Sequence, residues 1–302
     1  MFAGMSPRIA FIGAGRLAQC LAPVLAEQGE AVTAIASRDP AAAQRLADQL
    51  PGVHALPAAD CLAVADIVFL STPDDAIEAL AASLPWRRGQ AAVHCSGATG
   101  LDVLDTAHRA GAMVGGFHPL QIFSDPRTAR ERLRGSVVAI ETPDGSLGEQ
   151  LHRLAGRLGL RPLALSGRQR AAYHAAANIA ASGLLSVLSE ACSLFEQLGL
   201  AADQALAALM PLARGALDAA SQRGLPGAIA GPVARGDARV LAAHLQVMEA
   251  RDADALQLYR WLSQRQLDLL ADSGKPEPAA RAALAALLAT VQAERSAPAG
   301  KT

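Results

Sequence analysis

His118 stands in Gly116-Phe117-His118-Pro119-Leu120-Gln121 and Ser96 in His94-Cys95-Ser96-Gly97, each just past a short apolar run. An imidazole with an ordinary pKa of about 6.5 can take or give a proton near neutrality, and a neighbouring hydroxyl can donate a hydrogen bond to a developing oxyanion. The pair suits general acid/base work on a carbonyl, imine or alcohol group. Each residue also has a plainer reading, as a histidine bonding backbone at a strand end and a serine shaping a turn. Cys95 as a covalent nucleophile with His118 as base is the weaker idea, since a small cysteine at a strand end commonly just packs.

Further along, Tyr173-His174-Ala175-Ala176-Ala177-Asn178 sets His174 and Asn178 four apart on one helical face. The alanines between leave room for a ligand, or for a closely packed helix. In Gly231-Pro232-Val233-Ala234-Arg235-Gly236-Asp237, Arg235 could bind a substrate carboxylate while Asp237 caps the next helix. His94, His118, His174 and His244 lack the local spacing of metal ligands, so no metal site is expected. Cys20, Cys61, Cys95 and Cys192 are far apart with no CxxC pair, which fits a reducing cytoplasm.

Gly13-Ala14-Gly15-Arg16-Leu17-Ala18 is a G-x-G-x-x-A sequence between an apolar run and a helical pattern, the context of a dinucleotide-binding loop. Gly13 permits the tight turn, Gly15 lets backbone approach a pyrophosphate, and Ala18 allows close helix–sheet packing, while the helix N-terminus offers unpaired N–H groups. An NAD site wants a carboxylate at the end of the second strand, but the chain reads Ala36-Ser37-Arg38 there. Ser37 and Arg38 suit a 2′-phosphate, so NADP is the expected cofactor. Asp39 either takes the acidic role or caps a helix with Pro40 at its first position. Ser71-Thr72-Pro73-Asp74 ends another strand, where Ser71, Thr72 and Pro73 could line the nicotinamide ribose or simply form a capped turn.

Strands are expected at 8–12, 32–36, 67–71, 91–95, 113–117, 136–141 and 161–165, with a short one near 53–56, and helices between them. That alternation predicts a doubly wound, mainly parallel α/β domain over residues 1–165. From 166 to 302 the chain turns Ala- and Leu-rich with helical spacing, as in Leu206, Leu209, Met210 and Leu217 and in Leu284, Leu287, Leu288 and Val291. Five or six helices are expected there, with breaks at Gly199, at 224–237 and at 274–278, a kink at Pro211, and a frayed polar tail at 296–302.

Of 302 residues 51% are hydrophobic and 18% charged, which gives ample material for a core in two domains. With 27 Lys and Arg against 28 Asp and Glu there is no field to attract phosphate backbones, and the six Phe, two Tyr and two Trp are too scattered for base stacking. A nucleic-acid partner is not expected. Residues 1–7 lack a basic leader, and the apolar stretch 171–188 is interrupted by His174, Asn178, Ser182 and Ser186, so neither targeting nor a membrane span is expected.

These motifs, G-A-G-R-L-A at Gly13, S-R at Ser37, H-C-S-G-A at His94, F-H-P-L-Q at Phe117, Y-H-A-A-A at Tyr173 and G-P-V-A-R-G-D at Gly231, resemble the bacterial Rossmann-like proteins whose second domain is called domain of unknown function 2520. More distantly the chain is similar to the 6-phosphogluconate-dehydrogenase-like superfamily, with its pyrroline-5-carboxylate, ketopantoate and prephenate enzymes. The resemblance implies a helical C-terminal domain of the 6-phosphogluconate dehydrogenase type and a homodimer formed through it. Prephenate dehydrogenases carry a catalytic histidine in G-x-H-P and a serine after the preceding strand, which His118 and Ser96 match. The chain departs from its relatives in reading Ser182-Gly183 for a Ser-Asn pair and Arg168 and Arg170 for an upstream lysine. The coenzyme-F420 title attached to such proteins reflects the first domain and does not establish a deazaflavin site.

The expectation is an NADP-dependent oxidoreductase transferring a hydride to or from a small-molecule substrate. Gly13, Ala14, Gly15, Arg16, Leu17, Ser37, Arg38, Ser71, Thr72 and Pro73 would hold the cofactor, with His118, Ser96, His174 and Asn178 at the chemistry and Arg235 on the substrate. The rivals are a non-catalytic NADP sensor and an F420-linked NADP reductase.

Overall fold

The computed structural model describes residues 6–289; Val291, the polar tail 296–302 and the first five residues lie outside that range. Two compact units emerge, Met1–Gly183 and Leu184–Thr302.

The first unit is built on eight strands: β1 Ile9–Ile12, β2 Val32–Ala36, β3 His54–Ala55, β4 Ile67–Leu70, β5 Ala91–His94, β6 Met113–Pro119, β7 Val137–Glu141 and β8 Arg161–Ala164. Their order in the sheet is β3-β2-β1-β4-β5-β6-β7-β8, and every pairing is parallel except β6 with β7. Helices α1 Arg16–Glu27, α2 Pro40–Ala47, α3 Ala58–Val64, α4 Ile77–Ser83, α5 Asp105–Arg109, α6 Pro126–Leu133 and α7 Gly145–Arg157 make the connections. β1, β4 and β5 are buried at every residue, because helices cover both faces of a parallel sheet. Phe11 stacks on Phe69 at 5.1 Å between ring centroids, and Phe69 meets Phe117 edge to face at 5.6 Å.

One detail of register matters for the site. β6 pairs with β5 only as far as Gly116 opposite His94, while Phe117, His118 and Pro119 run on, held by β7 through Ala139 and its neighbours. His118 is therefore carried past the end of β5 on an overhang stiffened from one side.

Helix α8, Gly167–Asn178, belongs by compactness with the sheet, and a π-helical turn at Ile179–Gly183 closes the first unit. By composition the helical half begins at 166; by packing the second unit begins at Leu184. It contains α9 Leu184–Gln197, α10 Ala202–Ala228, α11 Pro232–Arg235, α12 Ala238–Arg251, α13 Ala253–Leu269 and α14 Pro278–Ala289, around a core of Val233, Leu241, Leu245, Leu267 and Leu284. The expected break at Gly224 is present, since α10 leaves helical geometry there with φ +71°, where only glycine is at ease, while Pro211, where a kink was expected, keeps helical dihedrals. A further break at Asp252 carries neither Gly nor Pro; the aspartate ends α12 in extended geometry and caps α13 by accepting from Ala255 N–H at 2.7 Å.

Candidate active site

The loop after β1 is pinned before it reaches any ligand. Gly13 N–H donates to Ala36 O at 2.8 Å, Ser71 Oγ donates to Gly13 O at 2.8 Å, and Ser71 N–H donates to Ile12 O at 2.9 Å, so the tips of β1, β2 and β4 are sewn together. Gly13 has φ +118°, and a Cβ there would lie 2.3 Å from Ser71 O. No side chain but hydrogen fits.

Gly15 is different: it is exposed, its φ of −75° suits any residue, and the nearest atom to a built Cβ is Ser71 O at 4.0 Å. The space beside it is open, and it caps α1 with no side-chain hydrogen bond and no acidic residue in the first turn. Ala14 is buried, Leu17 packs on the core and Arg16 is exposed at the helix start. Thr72 Oγ1, at the tip of β4, is buried without a partner among the described residues, while Pro73 leads into a short 3-10 turn at Asp74–Ala76.

Asp39 caps α2 by accepting from Ala41 N–H at 3.0 Å and pairs with Arg45, which settles its role as a cap. Arg38 is exposed beside the half-exposed Ser37, and no ion pair among the described residues engages it. An uncapped helix start, a glycine with open space beside it, an orphaned hydroxyl and an unpaired cation at the second strand tip fit a dinucleotide bearing a 2′-phosphate.

Beside this loop, around the ends of β5, β6 and β7, lies a cluster anchored by Arg170 of α8. Arg170 is 3% exposed; its Nε donates to Glu141 Oε2 at 3.1 Å, one Nη also bonds Glu141, and the other donates to Ser96 O at 3.0 Å. A buried guanidinium requires such partners, and these three bonds fix α8 against β7 and the turn after β5. Helical spacing then places Tyr173 and His174 on the face that Arg170 holds down.

Tyr173 Oη lies 2.9 Å from His118 Nδ1, and the His118 and His174 rings stand edge to face at 6.4 Å. A Cβ on Gly97 would meet His118 Nε2 and His174 Nδ1 at 2.8 Å each, so both rings pack against Gly97 where no side chain fits. His94 lies beneath, wholly buried, with neither ring nitrogen partnered among the described residues. Gly116 makes room for it, since a Cβ there would stand 3.1 Å from Arg170 Nη2 and 3.2 Å from His94 Cε1.

Burial above all, then the Arg170 cation and His118, pushes His94 down to about 3. His118 is pushed down to about 4 by burial, His174 and Arg170, with Asp74 opposing. Burial pushes the Tyr173 hydroxyl up to about 12. At neutral pH His94 and His118 are uncharged and Tyr173 keeps its proton.

Of the expected residues, His118, Ser96 and His174 come together. Ser96 Oγ, however, donates to Thr99 Oγ1 at 2.8 Å and accepts from the N–H groups of Ala98 and Thr99, so its hydroxyl is engaged in shaping the turn that presents Gly97. Asn178 is exposed at the end of α8. Arg235 lies in the other unit, exposed at the end of α11, where Asp237 caps α12 by accepting from Val240 N–H at 3.0 Å. Sequence reasoning assigned no role to Tyr173, Arg170, Glu141 or buried His94. An arginine one turn ahead of Tyr173-His174 in an Ala-rich helix was the available signal, since a cation there must find an anion. Among the described residues no group of His, Cys, Asp and Glu could hold a metal ion.

Residues 8–96 match the family described as NADP oxidoreductase, coenzyme F420-dependent, and residues 136–266 match the domain of unknown function DUF2520. No curated protein matches in sequence. Among solved structures, a Bacteroides fragilis protein described as a candidate NADP oxidoreductase is 26% identical over 86% of this chain and 98% of its own, with a TM-score of 0.66. A Thermotoga maritima protein superposes with a TM-score of 0.72 at 22% identity, covering 88% of this chain and 100% of its own. Pyrroline-5-carboxylate reductase of Streptococcus pyogenes shares the fold at 16% identity and a TM-score of 0.62, over 88% of this chain and 98% of that one. The chain thus joins a region matching the NADP-oxidoreductase family described as F420-dependent to a region matching DUF2520, and the cofactor that the first family's description names is NADP.

Proposed function

We propose that the protein is an NADP-dependent oxidoreductase that changes the oxidation state of a carbon bearing oxygen or nitrogen in a small substrate, with His118 as its acid/base group. The observation that carries this reading is adjacency: the loop after β1 is bonded to Ser71 at the tip of β4, and in the sheet β4 is followed by β5 and then by β6, whose overhang carries His118. Bound NADP supplies the hydride donor or acceptor. The chain supplies the rest. Gly13, Gly15 and the first turn of α1 receive the pyrophosphate, Arg16 and Leu17 flank it, Ser37 and Arg38 take the 2′-phosphate, and Thr72 Oγ1 awaits a polar partner from the nicotinamide end. His118 handles the proton, Tyr173 holds its ring, and His174 and Asn178 orient the substrate. Ser96 shapes the turn under it.

The test is calorimetric titration with NADPH, NADH and NADP⁺ on the wild type and on Arg38→Ala. NADPH should bind, NADH should bind far more weakly, and Arg38→Ala should weaken NADPH by about tenfold or more, the worth of one charge-assisted contact. Failure of every nucleotide to bind would overturn the reading. Bound NADPH that exchanges hydride with F420 and with no carbonyl, imine or alcohol would assign the chain to deazaflavin chemistry instead.

We further infer a homodimer in the cytoplasm. The run Gly167–Gln197 is long and apolar enough to cross a membrane by length and composition, with a mean hydropathy of 1.3 in its most apolar window. Its buried Arg170, bonded to Glu141 of the sheet, argues against a span. Within the second unit α9 buries none of its residues and α10 only Ala205 and Leu209, leaving Leu185, Leu206, Leu212, Leu217 and Leu225 exposed. A second copy would cover them. Light scattering on the eluting protein that gave a monomer mass at micromolar concentration would refute the dimer.

A further inference from the structure

The loop after β1 carries a side-chain contact that its glycine motif does not explain. Gln19, exposed on α1, reaches back across the first turn of its own helix and donates from Nε2 to Ala14 O at 2.9 Å. The partner is a carbonyl, so only the NH2 end of the amide can face it. Holding an exposed glutamine in one rotamer costs side-chain entropy, and here that cost is spent on a single main-chain oxygen of the loop.

Peptide geometry turns this bond into a direction. The Ala14–Gly15 peptide is trans, so its C=O and N–H point in opposite senses. With the C=O of Ala14 drawn toward α1 by Gln19, the N–H of Gly15 is turned away from α1, as are the unpaired N–H groups of the first helical turn. The preceding peptide is fixed from the sheet side, where Ser71 Oγ donates to Gly13 O at 2.8 Å. Among the described residues no acceptor engages the N–H of Gly15, and the nearest atom to a Cβ built there is 4.0 Å away. α1 has neither a side-chain cap nor an acidic residue in its first turn, so nothing there competes for the donor.

Resting on the oxidoreductase reading and its NADP site, we propose that Gln19 is a positioning residue for the cofactor: by holding Ala14 O it aims the Gly15 N–H at the pyrophosphate bridge. Gln19 itself does not touch the ligand. Its bond matters because turning this peptide requires a change of φ at Gly15, and a glycine accepts nearly any φ. A donor aimed before the pyrophosphate arrives spares the cost of ordering it on binding.

Gln19→Met tests this, since it keeps the length and helix-forming character of the side chain and removes the donor. Gln19 is exposed, so the variant should melt as the wild type does. Calorimetry should show NADP⁺ weakened about tenfold, the worth of one N–H bond to a charged acceptor. Binding of 2′-AMP, which brings the 2′-phosphate and no pyrophosphate, should stay within about twofold, a split that general damage to the fold would not produce. In nitrogen-15 spectra of the full-length protein the Gly15 amide, assigned by its loss in Gly15→Ala, should shift on saturation of the wild type with NADP⁺ and shift less in Gln19→Met. Unchanged NADP⁺ affinity in Gln19→Met, an equal loss for 2′-AMP, or an unmoved Gly15 amide in the saturated wild type would each overturn the role of Gln19 and leave the oxidoreductase reading standing. A wild type that binds no NADP⁺ would bring down that reading, and this inference with it.

Discussion

Tyr173 Oη sits 2.9 Å from His118 Nδ1 with the two rings nearly perpendicular, at 86°, and this contact ties α8 to the overhanging end of β6. His118 has support from β7 on one side only, so the tyrosine is what orients its ring. Removing the hydroxyl in Tyr173→Phe should lower kcat about tenfold to a hundredfold, a large part of what a positioned acid/base group contributes. The pH profile separates this from a loss of packing. Wild-type activity should be flat near neutrality and fall as pH drops through about 4, where His118 gains a proton. In Tyr173→Phe that limb should move upward as water reaches Nδ1, and an unmoved limb would leave Tyr173 with a structural part only.

His94 and His118 make the fold acid-sensitive. Both are pushed below the ordinary histidine range, to about 3 and about 4, mainly by burial. From about pH 6.5 downward the unfolded chain binds protons that the folded one refuses, so stability is whole above about 6.5 and is lost as pH falls toward those values. Each histidine contributes up to about 1.4 kcal/mol per pH unit within that window. Melting curves at pH 7, 6 and 5 should show a steady fall in Tm. His94→Leu, which removes two unpartnered buried nitrogens, should flatten the fall; equal slopes would show that His94 is protonated in the folded state.

Gly13 and Gly15 belong to one motif but should fail differently. Gly13→Ala sets a Cβ 2.3 Å from Ser71 O at φ +118°, so the three strand tips must part and the Tm should drop by several degrees. Gly15→Ala meets nothing closer than 4.0 Å, so the fold should melt as before while NADPH affinity falls at least tenfold. Differential scanning fluorimetry beside calorimetry reads both. Normal NADPH binding by Gly15→Ala would remove the pyrophosphate from this loop.

Much of this was legible in the sequence because it is local. A parallel strand covered on both faces reads as an unbroken apolar run, so Ile9–Ile12, Ile67–Leu70 and Ala91–His94 announced themselves, and the residues just past them had to be strand tips. The Gly13 loop and the Asp39-Pro40 cap carry their geometry in residue type alone. Illegible were the relations that depend on how α8 packs. Arg170 finds Glu141 29 residues away, and Tyr173 finds His118 55 residues away. Ser96 looked like a donor from its place in the chain, but its hydroxyl is consumed by Thr99 and the backbone of its own turn. Asp252 ended a helix with no glycine or proline to mark it, and Pro211 left α10 helical where a kink was expected.

The Arg170–Glu141 pair gives the last prediction. Arg170→Met leaves Glu141 poorly solvated without its cation, and breaking one side of a buried pair costs about 3–5 kcal/mol. A fall of that size should appear in the urea midpoint at an unchanged m-value. Because a matched apolar pair of similar volume can replace buried charges at little cost, Arg170→Met with Glu141→Leu should regain most of the loss, and the coupling between the two changes should exceed about 1 kcal/mol. Arg170 also lowers both His94 and His118, so the double variant should titrate its histidines closer to the ordinary value and lose activity at a higher pH than the wild type. If the double variant were as unstable as the single one while its histidines titrated as before, the pair would be neither the clasp that holds α8 to the sheet nor a contributor, beside burial and His174, to keeping His118 uncharged.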